Sequence, residues 1–222
     1  MNVPFQAAAG NGVVIGTVVS LDDPLALNRV QVRLPYLGNQ VAPWARMVTP
    51  MAGGGRGLVM RPEVGDEVLI VYEQGDPRRA YVVGALWSNL DQPPDAGPDP
   101  SANHWRFIRS RSGHLVKLDD TPGQERIEIE GKDGKSRLVI DTAGDSIALL
   151  AESGSITIEA TAGTVTVNAP DAQVSVNAAQ VSVDATDEVQ IKATSINVKA
   201  TADLAIEAGG MLSLKGSQIA LN

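Results

Sequence analysis

The chain has no cysteine, only two histidines, and no aromatic residue after Phe107. The first absence excludes disulfides and thiolate metal sites. The two histidines, His104 and His114, stand ten positions apart without a fixed set of carboxylates around them, so they read as ordinary polar side chains and not as metal ligands. No run of eighteen apolar residues exists, so no helix is expected to span a membrane. The opening MNVPFQAAAGNG lacks the basic region and apolar core of a secretory signal, which leads to the expectation of a protein made in the cytoplasm without a signal peptide. Positive charge is also short: 18 Lys and Arg stand against 26 Asp and Glu, and the net charge is −8. Nucleic-acid binding draws much of its affinity from phosphate neutralisation, so the charge balance argues against that partner class. Nothing in the sequence calls for a cofactor.

What is present is unevenly distributed. All eight aromatics (Phe5, Tyr36, Trp44, Tyr72, Tyr81, Trp87, Trp105, Phe107) lie in the first 107 residues, and of thirteen prolines only Pro122 and Pro170 follow them. Up to Ser88 seven arginines balance seven acids, whereas residues 138–222 carry ten acids and three lysines. Two architectures are therefore expected. Between them, residues 89–103 hold Pro93, Pro94, Pro98 and Pro100 among Asp, Gly and Ser, the composition of an extended, rather stiff linker.

The second half repeats. Twelve times an apolar residue, one other residue and a second apolar residue occur in order, with starts seven to eleven positions apart. The pairs are Ile127/Ile129, Leu138/Ile140, Ile147/Leu149, Ile156/Ile158, Val165/Val167, Val174/Val176, Val181/Val183, Val189/Ile191, Ile196/Val198, Leu204/Ile206, Leu212/Leu214 and Ile219/Leu221. Alternation places both members of a pair on one face of a short strand, and the β-branched bias favours strand over helix. Gly, Ala, Ser, Thr, Asp and Asn fill the gaps and turn the chain at little cost. Short strands of near-constant period, each with a stripe too narrow to bury alone, mark a β-solenoid. Of the twelve residues between pair members only Glu128 is charged, so the outer flank is expected to be smooth, as suits a shaft that slides and equally any wetted strand face.

The first half reads as a small β-barrel. Residues 13–20, 29–34, 67–73 and 80–87 are runs of β-formers, with a weaker fifth candidate at 44–48. Asp22-Asp23-Pro24, Gly53-Gly54-Gly55, Pro62, Gly65-Asp66 and Gly75-Asp76-Pro77 supply the turns. Five short strands fit an OB-type barrel, and an SH3-like barrel fits almost as well on pattern.

At these residues the chain resembles a known family. Gly16-x-Val18, Asn28-Arg29-Val30-x-Val32 before Pro35, Trp44, Pro62-x-Val64-Gly65-Asp66-Glu67-Val68, Glu73-x-Gly75-Asp76-Pro77 and Tyr81-Val82-Val83-Gly84 look like the OB domain of gpV-type phage baseplate spikes and of VgrG spikes of type VI secretion. Ser112-Gly113-His114 and Leu118-Asp119-Asp120-Thr121 look like the segment leading VgrG chains into their terminal β-prism. The resemblance implies an all-β homotrimer: an N-terminal OB-type barrel followed by an intertwined trimeric β-helix, a needle that a contractile injection system drives through the target envelope. The implied division is an N-terminal arm at 1–12, an OB domain at 13–88, the linker at 89–103, a neck with a hairpin at 104–137 and the needle at 138–222. It also implies a component of a phage tail or phage-tail-like particle that is ejected on firing. Only about a dozen residues precede the barrel where VgrG chains carry a hub-forming region, so a separate hub or baseplate protein is expected on that side. Some phage spikes hold iron at a His-x-His tip; no histidine follows His114, so a separate PAAR-type tip protein is the expectation instead.

Independently of the family, a triangular solenoid can be one chain or three. Three intertwined chains climb roughly 4.8 Å per strand, so twelve strands give on the order of 55–60 Å, whereas one chain alone would reach about 20 Å. A lone solenoid that short leaves open sheet ends and a thin core, and three chains let the stripes bury one another. The expected trimer core includes Ile156, Ile158, Val165, Val167, Val174, Val176, Val181, Val183, Val189, Ile191, Ile196 and Val198. Leu212, Leu214, Ile219, Leu221 and Asn222 are the candidate tip-partner surface, and Phe5, Arg78 and Arg79 the candidate hub contacts. The spacing tightens to seven or eight residues from Val174 onward, which predicts a narrower prism toward the tip.

Candidate chemistry is sparse, and no enzyme is expected. Asp119-Asp120-Thr121-Pro122 reads as a turn and not as paired catalytic acids. Gly53-Gly54-Gly55 lacks the Lys-Ser/Thr of a phosphate loop, and Met47, Met51 and Met60 read as barrel packing or as a loop that touches a neighbour. Two other readings remain: a carbohydrate- or nucleic-acid-binding OB module on a stalk, and a polysaccharide-degrading β-helix enzyme.

Overall fold

The computed structural model describes residues 12–220, and they separate into two compact units that divide between Ile158 and Glu159. Phe5, Leu221 and Asn222 lie outside the described residues.

The chain is all-β with an OB-type barrel at its front. Its main sheet contains β1 (Val14–Ser20), β2 (Gln31–Leu34), β3 (Gln40–Val41), β4 (Arg46–Met47), β7 (Glu67–Tyr72) and β8 (Ala80–Leu86), in the order β3-β2-β1-β7-β8-β4. Neighbours are antiparallel except β4, which pairs parallel with β8. A bridge between Val30 and Ala45, with backbone bonds of 3.0 and 2.8 Å, brings the two ends of this sheet together. A small hairpin, β5 (Ala52–Gly53) with β6 (Arg56–Gly57), stands apart from the sheet.

Alternation explains the core. Val18, Val30, Val32, Leu34, Val68, Ile70 and Val82 are fully buried, packed with Ala42, Ala45 and Ala80. Register shifts at Val18/Ser20 and Leu69/Ile70 let the sheet curl, as bulges do in small barrels. The fifth expected strand shrinks to Arg46–Met47 because it meets β8 over only two residue pairs. Gly16 occupies the tightest point: a Cβ there would lie 2.7 Å from Ile70 Cδ1 and 3.0 Å from the Arg33 carbonyl. We expect Gly16→Val to lower barrel stability by about 1–3 kcal/mol, the usual cost of overpacking, read as a lower midpoint in urea unfolding. An unchanged midpoint would show that the sheet relaxes freely around this residue.

Beyond the linker, β9 (Trp105–Arg109), β10 (Leu115–Asp119), β11 (Arg126–Glu130), β12 (Ser136–Asp141) and β13 (Ser146–Ala151) form one antiparallel meander in chain order. Tight turns make this possible, with Gly113, Gly123 and Gly134 at positive φ. The meander takes in the pairs Leu138/Ile140 and Ile147/Leu149, which the periodicity placed at the start of the needle. Hairpin connections of four to six residues put each strand beside the one before it.

From Ser155 to Ala220 the described residues contain no strand, and the only backbone hydrogen bond that they make with one another is Ala172 N–H to the Ala169 carbonyl, 3.3 Å. Turns recur between the apolar pairs at near-constant spacing.

Candidate functional site

Strand alternation gives the meander two unlike faces. One carries Trp105, Phe107, Leu115, Lys117, Asp119, Arg126 and Glu128; the other carries Ile108, Val116, Leu118, Ile127, Ile129, Leu138, Ile140, Ile147 and Leu149. The covered face is the charged one. Lys117 is 6% exposed, Asp119 4% and Glu128 8%, while most of the apolar set stands in solvent.

The buried charges pair with one another, although Arg126 Nε makes no hydrogen bond. Lys117 Nζ lies 2.6 Å from Glu128 Oε2 and 3.6 Å from Asp119 Oδ2, and Arg126 Nε lies 2.7 Å from Glu128 Oε1. The Lys117 ammonium also sits 4.2 Å from the centre of the Trp105 ring, against which Gly97 of the linker packs. Burial pushes the Asp119 carboxyl up, but the Thr121 hydroxyl at 2.6 Å and its amide at 3.1 Å, then Lys117 and Arg126, outweigh it and hold the group below its usual range. Asp119 therefore closes the turn at Thr121 and anchors the cluster, and Asp120 pairs outward with Arg106.

The apolar face is organised in two rows across all or most of the sheet. One runs Ile108, Val116, Ile129, Leu138, Leu149 and the other Leu118, Ile127, Ile140, Ile147, each residue directly opposite the next. Large side chains aligned in this way form a continuous patch, the kind of surface that monomers rarely leave open.

Exposed apolar pairs continue along the chain beyond the meander. The twelve expected core residues Ile156, Ile158, Val165, Val167, Val174, Val176, Val181, Val183, Val189, Ile191, Ile196 and Val198 range from 48% to 74% exposed. In each of these six pairs the second member is the more exposed, so the repeats are alike in conformation. Leu212, Leu214 and Ile219 are exposed as well. The backbone between them has no ladder partner among the described residues of its own chain.

Arg78 and Arg79 are placed at the barrel end of a cleft of about 990 Å³ between the sheet and the 48–61 loop. Each is tied to a local acid: Arg78 to Asp76 at 2.9 Å and Arg79 to Glu73 at 3.0 Å. The Tyr81 hydroxyl donates to Glu73 at 2.7 Å and, with Arg79, holds that carboxyl below its usual range. The three methionines that the sequence grouped together line this cleft, Met47 half-buried and Met51 and Met60 exposed. Pattern alone missed its walls, because Trp44 lies outside any strand and Arg46 and Arg56 lie on strands of two residues, too short to show periodicity. His104 and His114 contribute backbone groups to turns: the His104 carbonyl accepts from Asp120 N–H and the His114 carbonyl from Ser110 N–H. No cluster of three metal-ligating side chains occurs among the described residues.

Barrel, meander and repeat define an all-β protein with extended exposed apolar surfaces. Residues 14–87 match the family model of the type VI secretion system/phage-baseplate injector OB domain. Over 110 residues the chain is 24% identical to the type VI secretion system spike protein VgrG1a of Pseudomonas aeruginosa, covering 47% of this chain and 17% of that protein. Over 93 residues it is 28% identical to the spike protein VgrG4b of the same organism, covering 40% and 12%. The chain thus spans less than a fifth of the length of these relatives. Residues 14–87 thus match the injector OB domain, and through that domain the chain is similar to baseplate spikes of the gpV/VgrG type.

Proposed function

We propose that this protein is the structural central spike of a contractile injection machine, a homotrimer whose second half winds with two further copies into a β-helical needle that pierces the target envelope. The observation that carries this reading is the Ser155–Ala220 segment, which has near-constant turns and outward apolar pairs but no strand partner of its own. Strand backbone needs its hydrogen bonds and narrow apolar stripes need cover. Two more copies supply both at once, and the symmetry lets the same stripe serve three times. The apolar rows of the meander face the same requirement and take the same solution.

A single-chain β-helix enzyme would pair each strand with another one or more turns away in its own chain, and such pairing is absent among the described residues of 155–220. We read the role as mechanical. The division into arm 1–12, OB domain 13–88, linker 89–103, neck and needle serves that role: barrel toward a hub or baseplate protein, repeat toward the target. Leu212, Leu214 and Ile219 offer apolar surface to a PAAR-type tip protein. No helix among the described residues is long and apolar enough to cross a membrane, and the spike acts as part of a tail-like particle.

Sedimentation of the full chain tests the assembly. The expected species has three times the 23.2 kDa chain mass and persists on heating in mild detergent. A monomer across the working concentration range would overturn the proposal.

A further inference from the structure

The barrel carries an exposed apolar and basic surface of its own. The 48–61 loop exposes Val48, Met51, Leu58, Val59 and Met60, a high density of apolar side chains for one solvent-facing loop. With the barrel wall it encloses the cleft of about 990 Å³, and the cleft is strongly cationic: six arginines line it against the single acid Glu73.

Pairing sorts these arginines. Arg29 is held by Asp23 at 2.6 Å, Arg78 by Asp76 and Arg79 by Glu73. Arg46, Arg56 and Arg61 have no carboxylate partner among the described residues. Arg46 lies 5.5 Å from the centre of the Tyr81 ring and Arg61 donates to the Leu21 carbonyl at 2.6 Å, so both guanidiniums are placed with donors still free. Arg56 folds over Gly53 across the β5–β6 hairpin, where a Cβ on Gly53 would meet its guanidinium at 2.9 Å. Unpaired guanidiniums beside aromatic and thioether surface are the complement of carboxylates set among apolar side chains.

We propose that this cleft docks an acidic, apolar-flanked segment of another protein, its carboxylates on Arg46, Arg56 and Arg61 and its apolar side chains on Met51, Met60 and the Trp44 ring. A protein segment is favoured over nucleic acid because the cleft is short, Glu73 interrupts its charge, and the net charge of −8 repels an extended polyanion. The inference rests on the barrel alone, so it stands or falls separately from the trimeric needle. Methionine and long loops suit it to a segment whose exact side chains vary.

The test uses the full chain and a fluorescein-labelled twelve-residue peptide alternating Glu and Leu, followed by fluorescence anisotropy. Saturable binding is expected, weakened roughly tenfold in the Arg46→Gln/Arg56→Gln variant and unchanged in Arg33→Gln on the outer barrel face. Met51→Ser/Met60→Ser should weaken it severalfold at unchanged salt dependence, which a purely ionic contact would not do. Circular dichroism checks that each variant keeps its fold. The proposal is overturned by absence of saturable binding, by equal loss in Arg33→Gln, or by tighter binding of a labelled oligothymidylate than of the peptide.

Discussion

Val183→Asp abolishes assembly while the barrel stays folded. In the single chain Val183 is 71% exposed, so aspartate there would change the stability of an isolated molecule by no more than about 0.5 kcal/mol, the usual range for surface substitutions. In the proposed intertwined needle three copies of the residue would face the axis, and three carboxylates would meet where no counter-ion fits. Each buried ion then costs several kcal/mol, and mutual repulsion adds to it, so the trimer does not form. The barrel core of Val18 to Val82 lies elsewhere in the chain and retains its cooperative melt. Size-exclusion chromatography with light scattering reads the first outcome and thermal circular dichroism the second. Val176→Asp, at 72% exposed and one repeat earlier, should behave identically. Normal trimers in both variants would mean that these side chains point away from the axis.

The second large effect lies in the neck. Replacing Lys117 by methionine keeps the side-chain length but removes the ammonium between Glu128 and Asp119, leaving two carboxylates close together under a covered face. Breaking a buried pair by removing one partner costs about 3–5 kcal/mol, because the remaining charge has neither water nor partner. Arg126 keeps its 2.7 Å contact with Glu128, which limits the loss but does not cancel it. The change is read as a lower unfolding midpoint followed by tryptophan fluorescence, since the Trp105 ring lies against the Lys117 ammonium. Glu128→Gln in the Lys117→Met background should recover part of the loss by removing one of the stranded charges. A single variant as stable as the parent would mean that water reaches the cluster freely.

The two variants separate what could be read from the chain from what could not. The barrel strands were legible because each is a run of β-formers with one face in a shared core, bounded by turn residues such as Asp23-Pro24 and Gly75-Asp76. The Asp119–Thr121 turn was legible for the same local reason. Gly16 appeared as part of a motif, but its need for close approach to Ile70 and Arg33 exists only across strands. The cleft walls were hidden because Trp44, Arg46, Arg56 and Arg79 come from separate segments that pattern cannot bring together.

The meander is the instructive case. In β10, Leu115-Val116-Lys117-Leu118-Asp119, alternation announces two faces, and hydropathy alone would cover Val116 and Leu118. The chain covers Lys117 and Asp119 instead, because Trp105 and the linker at Gly97 lie on that side and because the charges find partners on β11. By itself the sequence determined that twelve apolar pairs repeat, that an all-β barrel precedes them and that the repeat cannot bury its own stripe. Alternation and turn chemistry act over a few residues and so are written locally. Which face is covered, and that Ser155–Ala220 finds no ladder among the described residues of one chain, were decided by tertiary structure alone, since both depend on what packs against a strand from far away.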